Sequence, residues 1–143
     1  MGARRLAVVN GANIFQMLLV NVVECYSDSK DRYCISIIDP SRPAWFLRHY
    51  NHFVSLEPEY GARNSHVFDA DASFILIPDL FSPEFFALES VNYPGYFVRA
   101  TDDGRLRIAE YDDTPEFRHS ASFALTDHFV ERTSDSILSV QFF

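Results

Sequence analysis

The chain has 143 residues and a mass of 16.4 kDa, which is the size of one domain. Its 48% hydrophobic and 22% charged residues are typical of a packed globular protein and exclude disorder as the default. The net charge is −8, and the basic residues form no cluster of the kind that binds phosphate. We therefore expect no nucleic acid, heparin-like glycan or anionic membrane surface as a partner, whereas a neutral ligand suits this charge.

The N-terminal residues have two interpretations. Arg4 and Arg5 precede a largely apolar run, residues 6–23, which is similar to a signal peptide. Polar residues interrupt this run, no small-residue cleavage site follows it, and it is too polar to span a membrane. In the other interpretation, Asn10-Gly11 turns a hairpin between two strands. The location stays open: extracellular if the run is a signal, and otherwise cytoplasmic.

Short apolar runs separated by turn residues predict an all-β domain. Helical periodicity is nearly absent, and the 14 Phe, 7 Tyr and 1 Trp favour strands. Turns are indicated by pairs such as Pro94-Gly95 and Asp103-Gly104. The predicted strands are, in chain order, residues 6–9, 15–23, 34–38, 45–49, 53–56, 73–77, 86–89, 96–99, 106–108, 122–125 and 137–143.

Two cysteines lie between the second and third predicted strands. Cys25 and Cys34 are nine residues apart and match no zinc-binding spacing. They are compatible with one disulfide or with two free thiols. We predict no metal and no cofactor.

A pattern of strands and motifs occurs twice along the chain. The sequence PAWFLR at 43–48 is repeated 51 residues later as PGYFVR at 94–99, and a Phe followed by Ala-Ser-Phe occurs at 68–74 and again at 117–123. The residues outside the two copies together amount to one further unit. This arithmetic predicts a single β-trefoil domain of three pseudo-repeats: repeat 1 at about 35–83, repeat 2 at about 86–127, and repeat 3 split between 1–34 and 128–143. The alternative is a truncated trefoil with two full repeats.

The repeated motifs resemble those of a known family. They are SVNYPGYFVR at 90–99, FLRHYN at 46–51, LEP at 56–58 and FDADASF at 68–74. They are similar to the arabinofuranose-binding module at the C-terminus of α-L-arabinofuranosidase B, a family 42 carbohydrate-binding module. The resemblance covers residues 35–127 and implies a β-trefoil in which each intact unit holds one arabinofuranosyl side chain. It implies further that a His after the Arg and an Asp before Ala-Ser-Phe bind the sugar hydroxyls.

Carried onto this sequence, the resemblance gives one intact site. His49 and Asp71 occupy the two sugar-binding positions, and Tyr50 is the adjacent aromatic contact. Ala100 and Ser120 stand at the matching positions of the second unit, so we expect no sugar there by this mode. The alternative for the first pair is a scaffold role, in which the histidine satisfies a backbone carbonyl and the aspartate caps a turn.

One basic residue recurs where the sugar-binding pair does not. Arg48 and Arg99 stand at the same position of the two units. Because the arginine persists in the unit that lost its pair, we predict a structural role in which it bonds loop carbonyls or a carboxylate.

These observations predict a non-catalytic carbohydrate-binding domain that recognises arabinofuranosyl side chains of plant polysaccharides such as arabinoxylan. Two alternatives are a degenerate protein-interaction module without a sugar site and a targeting fragment of an α-L-arabinofuranosidase; a protein partner thus stays possible. Glycoside hydrolysis needs two carboxylates across a cleft, whereas Asp69 and Asp71 fall within one motif on a predicted strand. His49 and His52 would lie on opposite faces of a strand, so we predict no zinc pair and no catalytic residues.

Overall fold

Apolar and turn residues alternate along the chain and divide it into short antiparallel strands. A computed structural model describes residues 4–10, 13–25, 33–59 and 65–126. Its elements are β1 Arg4–Asn10, β2 Asn13–Glu24, β3 Cys34–Asp39, β4 Arg42–Tyr50, β5 Phe53–Pro58, α1 Ser65–Asp71, β6 Phe74–Pro78, β7 Phe86–Ser90, β8 Tyr96–Ala100, β9 Leu106–Glu110, α2 Pro115–Ser120 and β10 Phe123–Thr126.

The strands form one antiparallel sheet that closes on itself. Strands β3, β4, β5, β9, β8, β7 and β6 are neighbours in that order, and β6 pairs again with β3, which closes a ring of seven strands. Strands β2, β1 and β10 form a second path that runs from β3 back to β7. Closure leaves the ring strands with no unpaired edge, which keeps an apolar, aromatic-rich sheet from pairing with other chains.

The predicted β-trefoil is therefore wrong, both as a split and as a truncated version, although the domain is all-β. The described strands build a seven-strand antiparallel barrel and not three equivalent four-strand units. The sequence repeat measures spacing along the chain, whereas closure depends on which strands pair, and the β3–β6 pairing at Cys34↔Ile75 has no signal in the repeat. The last predicted strand, residues 137–143, lies outside the described residues.

Residues that alternate along the strands fill the barrel. Leu47, Val54, Leu88, Val98 and Ile108 are buried in one cluster inside the ring. Successive strand residues point to opposite faces, so their neighbours pack outside the ring. Two smaller outer clusters lie there, one under each helix.

Each helix fixes one phenylalanine against a strand. Phe68 on α1 packs edge-on against Phe46 at 5.8 Å between ring centroids, and Phe117 on α2 packs edge-on against Phe97 at 6.4 Å. Burying a phenylalanine contributes about 2–3 kcal/mol, so these contacts tie the helices to the barrel. The Phe of the repeated motif is therefore a core residue in both units.

The two helices correct the strand predicted for the Asp69-Ala70-Asp71 motif. This motif belongs to α1, where residues two apart point to different sides, so the two carboxylates do not share a face. A signal for the second helix is present: Thr114 caps α2 by accepting a hydrogen bond from the Phe117 amide at 3.1 Å, and a proline occupies the first turn.

The N-terminal run is built into the sheet. Strands β1 and β2 pair along most of their length, for example at Leu6↔Leu18, as the hairpin interpretation predicts. A disulfide joins Cys25 after β2 to Cys34 at the start of β3, with 5.3 Å between their Cα atoms. Within the described residues, no helix is both long and apolar enough to cross a membrane.

Candidate functional site

The candidate site lies where the first unit meets the loop that opens the second. His49 is the penultimate residue of β4, Asp71 is the last residue of α1, and Asn92 lies in the loop after β7. The His49 Nε2 lies 2.8 Å from the Asn92 Oδ1 and 3.5 Å from the Asp71 Oδ1. His49 and Asp71 are only 4% and 7% exposed. The structure thus brings together the two residues predicted to bind sugar.

The hydrogen bonds of Asn92 indicate which ring nitrogen of His49 carries the hydrogen. The Asn92 Nδ2 donates to the Asp71 Oδ1 at 2.8 Å, which turns the amide oxygen toward His49. The Ser90 Oγ also donates to that amide oxygen, at 3.0 Å, and lies 3.2 Å from the histidine Nε2. Because the amide oxygen of Asn92 can only accept, its contact with Nε2 assigns the hydrogen to Nε2, which donates it to Asn92. His49 therefore connects both units through one polar network.

Arg48 neutralises the carboxylate from its other side. Its guanidinium donates to the Asp71 Oδ2 at 2.5 Å, and the two side chains are 13% and 9% exposed. The guanidinium carbon also lies 4.8 Å from the Phe68 ring centroid, a cation–π contact. Arg48 thus bonds a carboxylate, as predicted. That carboxylate belongs to Asp71, one of the two residues predicted to bind sugar.

Two tyrosines form the exposed rim of the site. Tyr50 is 60% exposed and its ring centroid lies 5.2 Å from the Arg48 guanidinium carbon. Tyr93 is 43% exposed, and its ring meets the His49 ring edge-on at 5.2 Å between centroids. His52 also contacts Tyr93, at 6.0 Å between centroids. Two exposed aromatic rings thus flank the buried polar network.

The equivalent position in the second unit holds no such network. Ala100 is buried in the barrel core, and the Ser120 hydroxyl donates to the Phe117 carbonyl within its own helix at 3.0 Å. Arg99 keeps the aromatic contact of its counterpart, at 5.3 Å from the Phe117 ring centroid. His119, which a strand would have pointed to the opposite face, is instead an exposed residue of α2.

Sequence reasoning missed Ser90 and Asn92. The first unit has Asp39 and Ser41 at the positions 51 residues earlier, and these bond each other through the Ser41 hydroxyl at 2.9 Å. The sequence signal for a special role of Ser90 and Asn92 was this difference between the copies, because a residue with a purely structural role is expected to recur in both. Only the folded barrel shows that the second unit lends these groups to the first.

A cleft of about 270 Å³ lies elsewhere, between β5 and the turn before β9. Its lining combines apolar core side chains with exposed residues such as Phe53, Ser55 and Arg105, and it includes none of the predicted sugar-binding residues. Among the described residues, no three or more His, Cys, Asp or Glu side chains are grouped as metal ligands would be.

Comparison with known proteins identifies the family. The model of the alpha-L-arabinofuranosidase B (ABFB) domain matches residues 21–125 and 62–142. The chain belongs to this family. The resemblance predicted from the repeated motifs is thereby confirmed, and the ABFB match extends beyond residues 35–127 in both directions.

Individual relatives share parts of the chain. The human otogelin-like protein is 34% identical over 94 residues, which are 65% of this chain and 4% of that protein. An arabinofuranosidase complexed with arabinofuranosyl-alpha-1,2-xylobiose is 20% identical with a TM-score of 0.68, over 87% of this chain and 30% of that one. A designed three-fold symmetric protein, ThreeFoil, is 9% identical with a TM-score of 0.55, over 90% of this chain and all of that one. The two structures share the fold alone, and the chain spans less than a third of the otogelin-like protein and of the arabinofuranosidase.

Proposed function

We propose that this ABFB domain is a non-catalytic carbohydrate-binding module that holds one arabinofuranosyl side chain of a plant polysaccharide such as arabinoxylan. The observation that carries the proposal is that His49 and Asp71 lie 3.5 Å apart at the joint between the two units, where each is hydrogen-bonded to Asn92. The family and the arabinofuranosidase likeness support the ligand class.

The network suits a neutral sugar because it fixes its polar groups before a ligand arrives. Asp71 is held by Arg48 on one oxygen and by Asn92 on the other. An ionised carboxylate has about four acceptor positions, and these two protein donors occupy two of them. The carboxylate is already paired with a cation, which lets a neutral ligand bind without leaving an uncompensated charge. Tyr50 and Tyr93 supply the apolar rim.

The proposal assigns binding and no hydrolysis to this chain. Asp71 is the one carboxylate of the network, and its nearest charged neighbour is Arg48. Hydrolysis needs a second carboxyl group about 5–10 Å away on the opposite side of the sugar, and Asp69 belongs to the same short helix. A role as the targeting part of an arabinofuranosidase fits within this proposal.

Calorimetric titration with an arabinofuranosyl-substituted xylo-oligosaccharide tests the function. We expect one site per chain with a Kd between about 1 mM and 1 μM, equivalent to about −4 to −8 kcal/mol. His49→Ala and Asp71→Asn should each abolish binding while the variant stays folded. Ser120→Ala, at the equivalent position of the second unit, is the matched control and should bind like the original chain. A folded original chain that binds no arabinofuranosyl oligosaccharide would overturn the proposal.

A second candidate function is a protein-interaction module without a sugar site. The observation that favours it is the degree to which the polar groups already bond each other, since both Asp71 oxygens and the His49 Nε2 have protein partners. In this case Asp71→Asn would lower the free energy of unfolding, and the original chain would bind no arabinofuranosyl ligand.

A further inference from the structure

The second unit carries two arginines that face each other across neighbouring strands. Arg99 on β8 pairs in register with Arg107 on β9, and both are half-buried on the outer side of the barrel. The Nε atom of each is buried without a hydrogen-bond partner, a feature that Arg48 of the first unit shares, so the two units differ in the ion pair and not in this atom. In the part of the chain that the structure describes, no carboxylate forms an ion pair with either residue.

This arrangement is unfavourable without a negative partner. Like charges directly opposite each other on a sheet repel, and a guanidinium that is half removed from water needs acceptors for its five N–H groups. Each guanidinium is nevertheless held in place. Arg99 lies 5.3 Å from the ring centroid of Phe117, and Arg107 lies 5.8 Å from that of Phe53. Two cationic residues therefore occupy facing strand positions, one packed against a ring of α2 and the other against a ring of β5.

The two units differ in the charges at equivalent positions. In the first unit Arg48 faces Ser55 in the same register and is neutralised by Asp71. In the second unit Arg107 stands where the first has Ser55, and Ser120 stands where the first has Asp71. The first unit therefore has one cation paired with one anion, whereas the second unit has two facing cations.

The neighbouring acids do not supply the missing charge. Asp113, next to α2, pairs with Arg118 at 2.9 Å. Asp103 accepts from the hydroxyl of Thr101 and the amide of Arg105, and it is exposed in its turn.

We propose that Arg99 and Arg107 bind the carboxylate of one acidic sugar, a uronic acid residue. A guanidinium carries paired N–H groups, which a planar carboxylate accepts as a bidentate pair. One anionic group matches two cations, whereas a polyanion would be repelled by a chain of net charge −8. That the carboxylate belongs to a sugar rests on the proposed function; that the site binds an oxyanion rests on the arginines alone.

The test compares an acidic oligosaccharide with its uncharged counterpart. A xylo-oligosaccharide that carries one glucuronic acid is titrated against the full chain by calorimetry at low salt, and the same oligosaccharide with its carboxyl group reduced to an alcohol is the ligand control. Arg107→Ser, which restores the residue of the first unit, should weaken binding of the acidic ligand at least tenfold. Arg42→Ser removes the same charge from an exposed position and should leave binding unchanged. Equal binding by Arg107→Ser, or equal binding of the reduced ligand, would overturn the proposal.

Stability separates a ligand site from a structural pair. Removing one of two repelling cations should leave the Tm of Arg107→Ser equal to or above that of the original chain, and the acidic ligand should raise the Tm of the original chain only. If Arg107→Ser does not fold, Arg107→Lys keeps the charge without the fork and should show the same weakened binding. Tighter binding of an oligosaccharide that carries one sulfate would overturn the assignment to a carboxylate.

One further variant separates this site from the arabinofuranosyl site. His49→Ala should keep the binding of the acidic oligosaccharide while it loses that of the neutral arabinofuranosyl ligand. Loss of both in the folded variant would contradict two independent sites. If the original chain binds the acidic ligand and no arabinofuranosyl ligand, the proposed function fails and the arginine site stands.

Discussion

Replacing Asn92 tests the joint between the two units most sharply. Asn92→Ala removes the donor to Asp71 and the acceptor for His49, both at 2.8 Å. A hydrogen bond to a charged group contributes about 1.5–3 kcal/mol and a neutral one about 1 kcal/mol. Asn92 is an exposed residue, so water replaces part of this, and Ser90 stays 3.2 Å from the histidine. We therefore expect a loss of about 2 kcal/mol in the free energy of unfolding.

A chain of 143 residues has an unfolding entropy of about 0.3 kcal/mol/K, so this loss lowers the Tm by about 7 °C. Calorimetric thermal unfolding measures the shift, and urea unfolding gives the free energy independently. Ser41→Ala, at the equivalent position of the first unit, removes only one exposed side-chain hydrogen bond and should cost less than about 0.5 kcal/mol. A loss below about 0.5 kcal/mol for Asn92→Ala would refute the inferred network.

The isosteric change Asn92→Asp tests the same network through the pH dependence of stability. It keeps an acceptor for His49 and replaces the donor to Asp71 with a second carboxylate. Two such charges about 4 Å apart repel by about 4 kcal/mol at an effective dielectric constant of about 20, which Arg48 partly offsets. The repulsion raises a carboxyl pKa in the folded state above its unfolded value, so the destabilisation should be present at pH 7 and disappear as the pH falls below the carboxyl range. An equal loss of stability at pH 7 and pH 4 would contradict this.

Three further predictions concern the scaffold. Cys25→Ser opens the disulfide loop, for which the chain-entropy relation gives a loss of about 2.7 kcal/mol, measured by urea unfolding against the reduced original chain as control. Arg48→Gln leaves the buried carboxylate of Asp71 unpaired and should lower the free energy of unfolding by about 3 kcal/mol. Arg99 has no acidic partner in the described residues, so Arg99→Gln should lower it by less than half as much. Equal losses would contradict the difference between the units. The Arg42 guanidinium, hydrogen-bonded to Asp39, lowers the pKa of that carboxyl below its usual 3.8. The small stability that this interaction adds is therefore present above the usual pKa and is lost as the pH falls through the lowered pKa. NMR titration should show the pKa of Asp39 return toward 3.8 in Arg42→Ala.

The strands were predictable because their signals are local. Apolar runs bounded by turn pairs gave the positions of β3 to β10 to within a few residues, and Asn10-Gly11 gave the β1–β2 hairpin. The short helices were not predicted, because six or seven residues carry too little periodicity to be recognised. The barrel was mistaken for a trefoil because its closure depends on non-local pairings such as β3–β6.

The site was predictable only in part, for a related reason. His49 and Asp71 could be named because they lie in motifs that resemble a family, and the structure brings their side chains to 3.5 Å. Asn92 and Ser90 come from the other unit, 43 and 41 residues away from the histidine in sequence. Their contribution depends on how the loop after β7 folds over β4, which no local pattern reports. The facing arginines were likewise hidden, since cross-strand register is a property of the assembled sheet.

The most direct test of the central claim is the map of amide chemical shifts during titration with a neutral arabinofuranosyl oligosaccharide. The account predicts one saturable set of changes centred on His49, Asp71 and Asn92, with the amides of Ala100 and Ser120 unmoved. Changes centred on the second unit, or no change at millimolar ligand in a folded chain, would contradict the claim that the joint between the units is the sugar site.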